Sequence, residues 1–282
     1  MSATIDAQLV KTLREKTNAG LMDCKKALSE TNGDLEAAVD VLRKKGAASA
    51  AKKADREAKD GLIAQAVVAG AKVGVLLEVN CETDFVAKND QFKTFCDEIA
   101  RKVAADENAD LEADRVAAVQ KIGENVRIRR STRFAVPGNG LVAAYIHTGG
   151  KVGVLVEVSS DKADTASNDD FKQLVRDITL QIAAANPVCL SRDQVPAELV
   201  ARERAIYADQ VPPGKPADIV AKIVDGKMGK FYSSISLLEQ AFIKNPDQTI
   251  AKVLEEKSKA LGEKIEIRRF VRYMVGEELA GA

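Results

Sequence analysis

The residues in this 282-residue chain that could carry covalent or acid–base chemistry are few and far apart. His147 is the only histidine, and Cys24, Cys81, Cys96 and Cys189 lack any CxxC spacing. Zinc would need clustered ligands, and a nucleophile would need a base beside it. A Cys/His pairing through His147 stays formally open, with no local signature behind it. His147 itself falls late in an expected strand, Leu141 to Thr148, where a satisfied strand-edge histidine is the plain reading. No P-loop is present, and Gly138-Asn139-Gly140 reads as a hairpin turn rather than a phosphate cradle. Asp169-Asp170 opens a helix, where capping and the helix dipole account for the two carboxylates. Arg129/Arg130 and Arg268/Arg269 read as salt-bridging pairs on a sheet face. No metal site and no cofactor are expected.

The chemistry that remains is that of contact, and it centres on Glu78-Val79-Asn80-Cys81-Glu82-Thr83-Asp84-Phe85-Val86-Ala87-Lys88. Val73, Val75, Leu77 and Val79 alternate as one apolar face of a strand. Asn80 and Cys81 end the alternation, and Thr83 or Asp84 can cap a helical turn by accepting backbone N–H groups. Such a turn would hold Phe85 near its start and outward, as a wedge for a partner. On residue type alone, Phe85 is more simply an ordinary core ring under a loop.

Composition narrows the setting. Lysine plus arginine, 42, equals aspartate plus glutamate, 42, so the formal net charge is zero. A general nucleic-acid binder usually shows a basic excess or stripe. No apolar run approaches the roughly 20 residues of a membrane helix, and the N-terminus lacks the basic-then-apolar pattern of a signal peptide. The cysteines read as reduced thiols. A cytoplasmic protein with neither nucleic acid nor membrane as a direct partner is expected.

The elements that must position the contact residues follow in order. Residues 1–46 read as three short helices. Leu9, Val10 and Leu13 stripe the first, Asn18-Ala19-Gly20 breaks it, and Met22, Ala27 and Leu28 are apolar contacts of the second. Asn32-Gly33-Asp34 stops the second and caps the third, which carries Leu35, Val39 and Leu42. Leu21 and Met22 at the inter-helix turn either close this bundle or face a partner. Residues 47–60, alanine-rich and charged, read as a solvated helical linker.

From Gly61 the chain repeats. Gly61-Leu62-Ile63-Ala64 through Val79 recurs as Gly140-Leu141-Val142-Ala143 through Val158, at an offset of about 79 residues. Phe92, Phe95, Cys96, Ile99 and Val103 match Phe171, Leu174, Val175, Ile178 and Ile182 as one helical face. The closing strands, Ile122 to Arg130 and Leu261 to Arg269, stand about 139 apart, so the second copy carries an insertion of about 60 residues. The fold class expected is α+β, with two duplicated subdomains built on antiparallel sheets. Subdomain 1 spans 61–139 and subdomain 2 spans 140–186 with 233–276. A helical hairpin, 187–232, interrupts the second, with Leu199, Val200 and Ile206 facing Ile219, Ile223 and Val224; a short tail is 277–282. The copies differ at one place. Cys81-Glu82-Thr83-Asp84-Phe85-Val86 aligns with Ser160-Asp161-Lys162-Ala163-Asp164-Thr165, so the second copy has no ring. A residue needed only to build the fold should recur, which moves Phe85 toward a surface role.

The eleven-residue run from Glu78 resembles the central signature of the bacterial translation elongation factor Ts family, and the segment from Leu13-Arg14-Glu15-Lys16 through Lys25-Lys26-Ala27-Leu28 resembles its N-terminal signature. The resemblance extends from near the N-terminus to about Gly276. It implies a ubiquitin-associated-like N-terminal bundle and a guanine-nucleotide exchange factor without catalytic chemistry of its own. Its partner would be elongation factor Tu, GDP-bound and nucleotide-free. Thr83, Asp84, Phe85 and Val86 would then disturb the partner's Mg²⁺ site, and Arg14, Leu21, Met22, Lys25 and His147 would make further contacts. It also implies self-association through the hairpin, as a homodimer or two-plus-two complex, and the loss of a C-terminal helix contact beyond Glu277-Glu278. An adaptor that binds partners through the three-helix unit without driving exchange is the alternative.

Overall fold

The computed structural model describes residues 6–17 and 19–279. Asn18 of the expected helix breaker, residues 1–5 of the first unit and the last three residues of the expected tail lie outside the described residues. Three helices come first, α1 (Ala7–Thr17), α2 (Leu21–Glu30) and α3 (Leu35–Lys53). Val10, Leu13, Cys24, Ala27, Leu28, Ala38 and Leu42 close on one another as their core. Asn32 (φ 52) and Gly33 (φ 86) reverse the chain, and Asp34 caps α3 by accepting the Ala37 N–H at 3.0 Å. Two expectations change here. Met22 is 73% exposed and is no core contact. The stretch expected as a solvated helical linker from residue 47 is helical as far as Lys53, as the end of α3, but it is not simply solvated, because Ala50 is buried against the first sheet's core. Small side chains permit that approach: a Cβ on Gly46 would lie 2.9 Å from Gln120 Oε1.

Strands β1 (Asp60–Val68) and β2 (Val73–Cys81) are followed by α4 (Asp84–Lys88), α5 (Asp90–Ala105), α6 (Glu112–Ile122) and β3 (Arg127–Ala135). The three strands form an antiparallel sheet in the order β1-β2-β3. Val75, Leu77 and Val79 pack against Phe92, Cys96, Ile99 and Val103 of α5. Then come β4 (Gly140–Ile146), β5 (Val152–Ser160) and α7 (Asp169–Ala185), then α8 (Ala197–Asp209) and α9 (Ala217–Ile235). The chain closes with the short pair β6 (Ala241–Phe242) and β7 (Asn245–Thr249), α10 (Ile250–Leu261) and β8 (Ile265–Met274). Strands β4-β5-β8 make a second antiparallel sheet, with Val154, Val156 and Val158 against Phe171, Leu174, Val175, Ile178 and Ile182 of α7. The class is α+β, with small antiparallel sheets and helices packed on them.

The two sheets meet through their other faces. Ile63, Leu76 and Phe134 of the first pack on Val142, Leu155 and Tyr273 of the second. Close approach needs glycine at matched positions: a Cβ on Gly74 would lie 2.4 Å from Val142 Cγ1, and one on Gly153 would lie 2.5 Å from Ile63 Cγ2. Backbone bonds cross in matched pairs, Ile63 N–H to Gly150 O and Val142 N–H to Ala71 O, both 2.7 Å. Each sheet also has a bulge at a matched glutamate, between Glu78 and Val79 and between Glu157 and Val158.

Gly138-Asn139-Gly140 is not a hairpin turn. It carries the chain from β3 to β4, which lie in different sheets and do not pair. Glycine between two strands looks the same whether the strands pair or part. The inserted helices are thinly packed: no residue of α8 is buried, Ile206 and Ile219 are each 37% exposed, and α9 buries only Val224 and Met228. The expected seam is therefore open along much of its length. α9 also runs to Ile235, beyond the expected end of the hairpin at 232, and the short β6 and polar β7 have no alternating apolar pattern by which to foresee them. No helix among the described residues is long and apolar enough to cross a membrane.

Candidate partner-binding surface

The β2–α4 corner is built by its own short-range bonds. Thr83 has an extended backbone, and its Oγ1 accepts the Val86 N–H at 3.3 Å, making it the cap of α4. Asn89 ends α4 and caps α5, accepting the Gln91 N–H at 2.7 Å. The single turn between these caps sorts its side chains by direction. Ala87 is buried and Val86 is half-buried on the first core, whereas Phe85 is 81% exposed. Asp84 also faces solvent, with Lys88 Nζ donating to its Oδ2 at 2.6 Å. That hydrogen bond holds the Asp84 carboxyl below its ordinary range. Of the four residues expected at this corner, Asp84 and Phe85 present themselves outward, Thr83 caps, and Val86 packs inward.

A residue that sequence reading did not single out holds the corner from outside. Glu124 Oε2 accepts the N–H groups of Glu82 at 2.9 Å and Thr83 at 3.0 Å, and its Oε1 accepts the Thr83 hydroxyl at 2.6 Å. Glu82 Oε1 in return accepts the Asn125 N–H at 2.6 Å. The signal was present as Gly123-Glu124 recurring as Gly262-Glu263, but its meaning depends on a segment some 40 residues earlier.

Most buried polar groups behind the corner are paired structurally, the exceptions being the side-chain oxygens of Asn80 and Asn125, which have no hydrogen-bond partner among the described residues. Glu78 is fully buried, receiving Arg129, Arg130, the Asn80 amide and the Gly276 N–H. Burial pushes its carboxyl up, but the Gly276 N–H, the Asn80 and Arg129 hydrogen bonds and the Arg130 charge together hold it below its ordinary value. The arginine pairs are salt-bridged on the sheet as expected, with Arg269 Nε donating to Glu157 Oε2 at 2.7 Å. All four cysteines are buried. Burial, with the charges of Glu124 and Asp60, pushes the Cys81 thiol up to about 12, so it is no thiolate near neutral pH.

His147 lies one residue past β4 and begins the turn to β5, exposed, with its Nδ1 at 3.0 Å from the Tyr145 hydroxyl. An open cleft of about 570 Å³ is bordered by Ala87 and Lys88 of α4 and by Ile146, Gly149 and Gly150 of that turn. The structure thus brings the α4 corner and the His147 turn to the two sides of one cleft. Leu21 (56% exposed) and Met22 (73%) form a separate apolar spot at the start of α2, with Lys25 one turn on, and Arg14 is exposed on α1.

Known proteins resemble this chain over nearly its whole length. The family model for Elongation factor TS matches residues 82–277, beginning at the α4 corner. The chain is 44% identical to Elongation factor Ts of Trichlorobacter lovleyi, covering 98% of this chain and 94% of that one. It is 43% identical to Elongation factor Ts of Clostridium botulinum strain Eklund 17B, over 97% and 93%. With the protein of the same name from Nitratidesulfovibrio vulgaris strain DP4 the identity is 42%, over 98% and 97%.

Proposed function

The chain belongs to the elongation factor Ts family, and from that premise we propose that it binds elongation factor Tu carrying GDP and promotes GDP release so that GTP can enter. A factor of this kind needs no bond-making chemistry. It must bind the nucleotide-free partner more tightly than the nucleotide-bound one, because only differential affinity moves the equilibrium. Asp84 and Phe85 press on the partner's nucleotide-binding domain, and Phe85 inserts between its helices. Elements holding Mg²⁺ beside the diphosphate are displaced, and without the cation the phosphate charge is poorly compensated. Magnesium and nucleotide belong to the partner.

The observation that carries this reading is the Phe85 ring, 81% exposed on a turn capped at both ends. Burying such a ring in a partner contributes about 1.5–3 kcal/mol. Arg14, Leu21, Met22 and Lys25 add a second grip on the same partner domain, and His147 a third on another. In the same reading the chain divides into a ubiquitin-associated-like unit (1–46), a connecting segment (47–60) that begins as the packed end of α3, duplicated subdomains (61–139; 140–186 with 233–276) and a hairpin (187–232) available for self-association. The test is release of fluorescent GDP from elongation factor Tu. Acceleration by substoichiometric amounts of this protein is expected. Binding to elongation factor Tu without acceleration would leave an adaptor.

A further inference from the structure

We propose that Glu124 is a positioning residue for nucleotide exchange, acting through Phe85. The inference rests on the reading of Phe85 as the wedge and concerns what holds that wedge in place.

A ring with almost no neighbours takes its direction from its own backbone. The backbone here is anchored on either side of Asp84-Phe85. On one side Glu124 takes the Glu82 and Thr83 N–H groups; on the other the Val86 N–H rests on Thr83 Oγ1. The Thr83 hydroxyl has one proton. Donating it to Glu124 at 2.6 Å leaves a lone pair free to face Val86, so clamp and cap share one atom. Glu124 is itself aimed by Gly123, whose left-handed conformation (φ 88) ends α6 and turns the next residue toward the corner. The Glu82 carboxylate closes the loop by accepting Asn125 N–H. Two acidic side chains cross in opposite directions between the same two segments.

The second sheet holds an internal control. Glu263 follows Gly262 (φ 64), and its Oε2 accepts the N–H groups of Asp161 at 3.1 Å and Lys162 at 3.0 Å, while Oε1 accepts the Thr165 hydroxyl. Asp161 Oδ2 returns the bond to the Lys264 N–H at 3.0 Å. The clamp is repeated, but the position matching Phe85 is Asp164, in a 3₁₀ turn. Loss of either clamp should cost stability, and only loss of the first should reach exchange.

The experiment measures GDP release from elongation factor Tu against concentration of this protein, giving a maximal rate and a half-saturating concentration, beside thermal unfolding of each variant. Glu124→Ala should lower the maximal rate about tenfold, with a smaller change in the half-saturating concentration, because misplacement of a contact acts on the productive complex. In a Phe85→Ala background, Glu124→Ala should slow exchange no further. Glu263→Ala should lower the melting temperature and leave exchange within about twofold of wild type. Thr83→Val should slow exchange and Thr83→Ser restore it, a pair that keeps the test open should Glu124→Ala fold poorly. Full exchange by folded Glu124→Ala, or equal slowing with and without Phe85, overturns the inference while the wedge stands. Normal exchange by Phe85→Ala overturns the wedge itself and the inference with it.

Discussion

The Arg130 guanidinium of the first sheet lies 3.8 Å from the centroid of the Tyr273 ring of the second, and Arg269 of the second lies 4.3 Å from the Phe134 ring of the first. Each arginine also pairs with the buried glutamate at its own sheet's bulge, Glu78 or Glu157. Charge on a bulge is thereby tied to the contact between sheets.

Stability should fall on acidification through Glu78. Its folded-state carboxyl is held below the ordinary 4.5, so its contribution is present above that value and is lost as pH falls through the lower, folded one. Denaturant unfolding between pH 7 and 3 should show this loss, and Glu78→Gln should be less stable at pH 7 with a flatter acid limb. An unchanged acid limb would show that other carboxylates carry it.

Gly74→Ala should destabilise the protein by about 1–3 kcal/mol, since the new methyl meets Val142 and Leu155 at the sheet contact. Adding Val142→Ala should recover part of the loss. Denaturant midpoints of the two single variants and the double variant would measure this, and an additive loss would contradict it.

Much of this was legible in short-range pattern. The alternation from Val73 to Val79 marked a strand, and Thr83 or Asp84 ahead of Phe85-Val86 marked a capped turn, because both signals lie within a few residues. The copy offset pointed to matched sheets. What lay hidden was set at long range. Glu124 looks like a surface acid until Glu82 and Thr83 are brought to it. The segment Gly138 to Gly140 has the residues of a hairpin, and only strand pairing reveals a crossing. Ala50 lacks the bulk that announces a core, yet its smallness is what lets α3 lie against the first sheet's core.

Met22 and Leu28 sit on the same helix and should separate binding from folding. Leu28→Ala, at a fully buried position, should cost about 2–5 kcal/mol. Met22→Ala should leave thermal unfolding nearly unchanged and weaken the complex with elongation factor Tu, as read by calorimetry. Unaltered affinity would remove the α2 surface from the contact.

The most direct measurement compares wild type and Phe85→Ala in the rate of GDP release from elongation factor Tu, at saturating concentrations and with each protein shown to be folded. An exposed ring contributes little to stability, so Phe85→Ala should melt like wild type. Its maximal exchange rate should fall at least about tenfold, as loss of an interaction made only in the exchanging complex requires. A folded Phe85→Ala protein that releases GDP as fast as wild type would contradict the account.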